Sequence, residues 1–461
     1  MTAPPQNRRP KPIAGQLSRD VAVAAFRLIT TDGQSLDQAF TSAVSRHAQA
    51  RQDELSQRDR AFARAILLTS LRHANALRQV AESFAAKGLP PRSGPLAAIL
   101  ITTSAQLLLL DVPAHAAINV AVSQAQAHPK SARFAKLANA ILHRVAETGA
   151  TKLADLRAPE REVPQWMFQR WTTFYGEDHA HAIAAASLSQ AALDLTVKPD
   201  VDAEELSDRI GAVRLPTGSL RLPNSTTVLD LEGYDAGWWW VQDTAAALPA
   251  RLMLSSAVGL ERGARVLDLC AAPGGKTAQL AAAGMDVTAL DRSKLRLETL
   301  AANHDRLKLS ADVVVADALT WSPKAPFDAI LLDAPCSATG TLRRHPDILH
   351  TRTEAQIAEL VGLQTKLLNR AVQWLKPGGH LVYCTCSLER DEGEFQIASL
   401  LNREPGLVRR AAPIDDLGLP RTVLNKVGEI RTRPDLALTN SEDGPIGLDG
   451  FFVSWLQRAD H

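Results

Sequence analysis

Cysteines, aromatic residues and long apolar runs are all scarce in this chain of 461 residues. Four cysteines are too few for a disulfide framework at this length, so a reducing compartment is expected. The longest apolar stretch, residues 99–110, is interrupted by Thr102, Thr103, Ser104 and Gln106. A bilayer span needs about 20 apolar residues, so no membrane segment is expected. The prolines and arginines of the first residues are not followed by an apolar stretch. No secretory signal is read there, and the cytoplasm is the expected compartment. Neither a G-x-G-x-x-G dinucleotide pattern nor a phosphate-binding G-x-x-x-x-G-K-[ST] loop occurs where a ligand loop would be sought.

Net charge is only +1, but it is unevenly spread. Residues 1–150 hold 18 Lys and Arg against 9 Asp and Glu, and the remainder holds 33 against 41. A front part at +9 joined to a back part at −8 fits a front part that meets a polyanion, provided its basic residues cluster in space.

The organisation follows from periodicity. Residues 1–14 read as a disordered basic tail. Residues 15–148 read as all-helical, with helices at 18–30, 35–46, 57–74, 75–86, 95–110, 114–127 and 131–148 broken by glycine and proline. Residues 149–165 read as a linker, and 160–235 as a small α/β connector. The run Trp238-Trp239-Trp240-Val241-Gln242-Asp243 reads as a buried strand with an Asp cap for the helix after it. From residue 236 to 461 strand, loop and helix alternate, which predicts a mostly parallel sheet covered on both faces. Strands are expected at 265–269, 286–290, 312–316, 327–332 and 380–384, with a final antiparallel strand at 450–456 at or near the edge.

Three features of this last region carry chemistry. The first strand runs into Asp268-Leu269-Cys270-Ala271-Ala272-Pro273-Gly274-Gly275-Lys276-Thr277, where glycines allow close backbone approach and a helix N-terminus follows. Cys270, Ala271, Ala272, Pro273, Gly274, Gly275 and Lys276 are therefore candidate cofactor contacts. Asp291, Asp317 and Asp333 follow at the ends of the next strands. Three acids around one crevice suit a cationic, donor-rich cofactor, and S-adenosylmethionine fits. For Asp291 or Asp317 taken singly, a helix N-cap is the plainer role. Cys336 lies in Asp333-Ala334-Pro335-Cys336-Ser337, and Cys384 and Cys386 lie in Tyr383-Cys384-Thr385-Cys386-Ser387. A glycine loop followed by two cysteine-bearing strand ends points to covalent catalysis beside a cofactor. The cysteine spacing does not match a zinc site, and no metal is expected.

These segments, together with Arg343-Arg344-His345-Pro346-Asp347, Trp374-Leu375-Lys376-Pro377-Gly378-Gly379 and Asp449-Gly450-Phe451-Phe452, resemble the RsmB/Sun (NOL/NOP/Sun) family of RNA 5-methylcytosine methyltransferases over about 236–459. More loosely, Leu108 to Pro113, Ala117 to Val122 and Leu137 to Leu142 resemble a NusB-type RNA-binding domain.

The resemblance implies a Rossmann-like class I methyltransferase domain with a seven-stranded sheet, S-adenosylmethionine as cofactor and RNA as partner, in a monomer. It implies Cys386 as the nucleophile that adds to C6 of cytosine, Cys336 as the residue for release, and Asp333 against the base, with Lys276 orienting groups near the cofactor. Small-subunit ribosomal RNA is the expected substrate, with tRNA as the alternative and a non-catalytic assembly factor as a rival of another class. Arg343 and Arg344 are candidate RNA contacts. The chain departs from the family at Ala338, where glycine is common, at Val120, where an acid is common, and at Leu195-Thr196-Val197-Lys198 in the connector.

Overall fold

The computed structural model describes residues 15–51, 54–223, 227–441 and 444–460. The basic segment 1–14 lies outside them. The chain divides into two compact units, Met1–Phe168 with His345–Arg352, and Gln169–Arg344 with Thr353–His461.

The first unit is helical. Its main helices are α1 (Gln16–Asp32), α2 (Leu36–Arg51), α3 (Gln57–Arg72), α4 (Ala74–Ser83), α5 (Leu96–Leu109), α6 (Ala114–Ala127) and α7 (Ala135–Leu156). In α1 the buried residues Ser18, Val21, Ala22, Ala25, Leu28 and Ile29 recur at three- and four-residue spacing, one face of a helix. Gly33, at φ 68°, ends α1 in the left-handed conformation. Ser56 caps α3 by accepting from the Asp59 N–H.

Helix α7 runs on to Leu156 through much of the segment read as a linker. Gly149, the first residue of that segment, is a packing residue. A Cβ there would lie 3.2 Å from Leu108 Cδ2, so the missing side chain lets the helices approach. Val120 is fully buried, so its departure from the family's acid alters the core of the unit. The segment 345–352 also belongs here: Asp347 accepts from the Leu36 N–H at 2.9 Å, and His350 Nε2 lies 2.9 Å from the Leu71 carbonyl.

The second unit contains two main sheets. The smaller has β1 (Leu193–Val197), β2 (Val213–Arg214), β3 (Leu220–Leu222) and β4 (Trp239–Val241), antiparallel in the order β2-β3-β1-β4. Strand β4 is the buried tryptophan strand, so the connector's sheet is completed from beyond residue 235. Asp243 caps the following helix, Thr244–Met253, as expected. The stretch Leu195 to Val197 lies in β1, with Leu195 in its core.

The larger sheet is built from β5 (Arg265–Leu269), β6 (Asp286–Asp291), β7 (Asp312–Val315), β8 (Phe327–Asp333), β9 (Leu375–Thr385), β10 (Leu407–Arg410), β11 (Ile430–Arg431) and β14 (Phe452–Arg458). A hairpin, β12 (Ala437–Ser441) and β13 (Gly444–Gly447), stands apart. The order is β10-β14-β9-β8-β5-β6-β7, with β11 pairing β14 as an eighth strand beside the expected seven. Strands β5 to β9 are parallel. Strand β14 is antiparallel to β9 and lies one in from the edge.

Along β8, Leu331 enters one core while Ile330 and Leu332 enter the other, the two-residue period of a sheet buried on both faces. Register aligns the carboxyl ends of the strands, with Leu269 beside Leu290 and Leu332, and Asp333 beside Cys384.

Candidate active site

The carboxyl ends of β5, β6, β7 and β8 open onto one crevice. Its cavity, about 620 Å³ including the mouth, is lined by Cys270, Asp291, Arg296, Asp317, Leu319 and Pro335 among others. A larger cavity, about 1120 Å³ with its mouth, lies between Trp240, Arg251 and Gln279, and none of the four cysteines lines it.

The glycine loop turns sharply from β5 to helix Gly275–Ala282. Cys270 has φ 67°, and both it and Ala271 donate their N–H to the Leu290 carbonyl. Gly274 has φ 102°, and a Cβ there would sit 2.6 Å from Leu300 Cγ. Only glycine meets both conditions. Asp268 is fully buried beneath the loop. Its Oδ2 accepts from Thr277 Oγ1 at 2.6 Å, while its Oδ1 is buried without a partner. Burial pushes this carboxyl up to about 7, against the pull of the Thr277 bond and of Lys276.

Asp291 and Asp317 are not helix caps. Asp291 accepts from the N–H of Ala272 and of Ser293 at 3.2 and 2.8 Å, and Ser293 is the cap of the next helix. Asp291 therefore ties the end of β6 to the glycine loop. Asp317 accepts from the Leu319 N–H at 2.9 Å and stays exposed at the cavity rim. Arg296, which the sequence reading missed, reaches the Ala272 carbonyl and lies 3.6 Å from Asp291. Its spacing from Asp291 on the same βα turn was the available signal.

Asp333 ends β8. Lys276 Nζ contacts its Oδ2 at 2.7 Å, and Cys384 Sγ lies 3.5 Å from its Oδ1. Burial works against the Lys276 charge, but Asp333 more than offsets it and holds the ammonium above its ordinary value. Lys276 therefore orients Asp333, besides lying in the glycine loop. Cys384 is fully buried, and burial together with Asp333 keeps it a thiol.

Cys336 and Cys386 come together from separate strand ends, with Sγ atoms 3.4 Å apart and both residues partly exposed. The hydrogen bond to Cys386, and then burial, hold Cys336 well above the ordinary thiol range. Its loop is stitched down at several points: the Ala334 N–H donates to the Cys384 carbonyl, and the Gly340 N–H to the Cys386 carbonyl, each at 3.0 Å. Gly450 N–H donates to Gly340 O at 2.8 Å, and a Cβ on Gly340 would lie 1.9 Å from Gly450 O. That close approach explains why the Asp449-Gly450 motif near the C-terminus belongs with the cysteine loop. Ala338, where the family favours glycine, has φ 59°.

Arg343 and Arg344 correct the expectation that they face RNA. Arg343 binds Asp449 at 2.6 Å, and Arg344 bridges Asp449 and Asp243 at 2.9 and 2.5 Å. Their charges are neutralised inside the unit. The sequence reading also missed Glu392 and Gln364, which contact the Cys336 loop and carry no motif of their own.

The fold, with its strand-end crevice and glycine loop, defines a Rossmann-like methyltransferase domain that follows a helical domain in the sequence. Residues 256–456 match the family model for the 16S rRNA methyltransferase RsmB/F, and residues 16–147 match that of the NusB family. The chain is 34% identical to the ribosomal RNA small subunit methyltransferase B of Xanthomonas campestris pv. campestris, over 85% of this chain and 89% of that one. It is 35% identical to the protein of that name from Xylella fastidiosa, over 83% and 90%. It therefore belongs to the RsmB/F family of methyltransferases, with an N-terminal NusB domain. Among solved structures, PH0851 superposes with a TM-score of 0.71 at 22% identity, over 97% of this chain and 99% of that one. The NSun6 structure from Pyrococcus horikoshii with SFG gives 0.55 at 18% identity, over 65% and 99%. Both likenesses concern the fold.

Proposed function

We propose that this protein is an S-adenosylmethionine-dependent RNA cytosine-C5 methyltransferase acting on 16S ribosomal RNA. The observation that carries the chemistry is the Cys336–Cys386 pair, 3.4 Å apart, on the loops that follow Asp333 and Cys384 and next to a crevice that Pro335 lines. The relatives' names supply the ribosomal substrate.

The residues fit the cofactor. The buried, unpartnered Asp268 Oδ1 and the carboxylates of Asp291 and Asp317 line or underlie the crevice with acceptors suited to a cation. Cys270, Ala271, Ala272, Pro273, Gly274, Gly275 and Lys276 form the loop beside it. When bound, S-adenosylmethionine supplies an electrophilic methyl group.

Cytosine C5 is a poor nucleophile until a thiolate adds to C6. Cys386 makes that bond. Asp333, fixed by Lys276 and Cys384, takes the polar edge of the base. After the methyl has joined C5, the C5 proton passes to solvent water, its bonding pair restores the C5–C6 double bond, and the bond from Cys386 to C6 breaks with its pair returning to sulfur. Cys336, held as a thiol, donates a hydrogen bond to the Cys386 sulfur and stabilises it as it departs.

Bisulfite sequencing of total RNA from cells with and without the gene tests this reading. One protected cytosine in 16S rRNA should lose protection when the gene is absent. Loss in tRNA would replace the substrate, and no loss anywhere would remove the C5 chemistry.

A further inference from the structure

Glu392 is buried and belongs to neither the glycine loop nor the cysteine motifs. Its Oε1 accepts from the Ser337 N–H at 2.9 Å and from Gln364 Nε2 at 3.1 Å, and its Oε2 accepts from Ser337 Oγ at 2.5 Å. Gln364 Nε2 also donates to the Pro335 carbonyl at 2.9 Å. The residues on both sides of Cys336 are thus gripped by one carboxylate and one amide. The backbone carbonyl of Glu392 accepts from Tyr383 Oη at 2.7 Å, which ties the same turn to β9.

The cluster reaches the other cysteine as well. Ser337 has one hydroxyl proton, and the carboxylate takes it. Ser387 Oγ, 3.0 Å away, therefore donates to Ser337 Oγ, while accepting from the Glu389 N–H at 2.9 Å. Ser337 follows Cys336 and Ser387 follows Cys386. A chain from Glu392 through Ser337 to Ser387 links the two thiol-bearing loops. A buried carboxylate is costly unless its lone pairs are satisfied. Three different donor groups on Glu392 meet that condition, and hydrogen bonds to an ionised acceptor are the stronger kind.

We infer that Glu392 is a positioning residue that sets the distance between Cys336 and Cys386 and with it the release step. This rests on the two-thiol reading for its catalytic meaning, but the positioning can be measured without RNA or cofactor. Diamide oxidises two thiols to a disulfide, its N=N bond taking up the two electrons and two protons. The rate at which Cys336 and Cys386 close in the folded protein reports how well they are held together.

Glu392→Gln keeps the shape but puts an amide N–H₂ against the donors Ser337 N–H or Gln364. Closure should slow by at least about tenfold, because loosening a reacting pair by about 1 Å costs up to about a hundredfold in rate. S-adenosylmethionine affinity should stay within about twofold of the parent, since the crevice is lined by other residues. In single turnover with RNA, the covalent protein–RNA adduct should persist longer than in the parent. Closure at the parent rate in a folded Glu392→Gln protein would overturn the proposal. Slow closure without an altered adduct lifetime would keep the positioning role and count against the two-thiol reading instead. If Glu392→Gln fails to fold, Ser337→Ala decides, since it removes only the hydroxyl link. Slowed closure there supports the inference, and parent-rate closure overturns it.

Discussion

Cys336 Sγ and Cys386 Sγ lie 3.4 Å apart, although their residues are 50 positions apart in sequence and end different strands. The proposed mechanism gives the two thiols different roles, Cys386 as nucleophile and Cys336 in release. Cys386→Ala should abolish both methyl transfer and any covalent RNA adduct. Cys336→Ala should still attack, and should then stall as a slow-migrating protein–RNA band in a denaturing gel. A stalled band from Cys386→Ala, with none from Cys336→Ala, would reverse the assignment.

Asp291 ties the crevice together and, in the proposed function, also meets the cofactor. Asp291→Ala removes acceptors for the Ala272 and Ser293 N–H groups and frees Arg296. S-adenosylmethionine affinity should fall by about 1.5–3 kcal/mol for each charged hydrogen bond removed. Calorimetry is the check. Unchanged affinity would leave Asp291 a purely structural tie.

Asp268 predicts a pH dependence of stability. Burial raises its pKa in the folded protein to about 7 from an ordinary 3.8, so the fold holds a proton that the unfolded chain releases. Its stabilising contribution is full below about pH 4, declines as pH rises, and is lost above about pH 7. The burial cost at higher pH is on the order of 4 kcal/mol, at about 1.4 kcal/mol per pH unit. Asp268→Asn should flatten urea-unfolding stability across that window while weakening cofactor binding. A variant that keeps the parent's full slope would assign that dependence to other groups.

The helical unit should hold RNA through its exposed basic residues. Lys130, Arg133 and Lys136 lie exposed at and just before the start of α7. Changing all three to glutamine should leave cofactor affinity intact. The slope of log affinity for RNA against log salt should become shallower by about 0.7–0.9 for each phosphate that is no longer neutralised. An unchanged slope would show that these three residues do not meet RNA.

Ala338 holds a left-handed backbone in the turn after Cys336. An L side chain costs about 1 kcal/mol or more there, which glycine avoids. Ala338→Gly should raise the unfolding midpoint, with methyl transfer retained. A lower midpoint would mean that the alanine methyl contributes packing worth more than the strain.

Much of this architecture was legible in the sequence because it depends on local rules. Helical spacing gave the seven main helices of the first unit, and apolar strand runs gave β5 to β9. The glycine loop and the two cysteine motifs named the candidate site because their chemistry needs those residue types beside one another. The helix expected at 131–148 continues to Leu156 through part of the segment read as a linker, because a glycine packed against Leu108 inside a helix looks the same in sequence as a linker residue. Pairings between distant segments were out of reach. Arg343 and Arg344 read as RNA contacts until Asp449 and Asp243 appeared beside them. Glu392 and Gln364 looked like ordinary polar residues, because what they do depends on Ser337 and Pro335, 55 and 29 positions away. The sequence alone determined which groups could react. Tertiary structure decided which of them meet, since a hydrogen bond or a thiol pair is set by distances of a few ångströms that spacing along the chain does not encode.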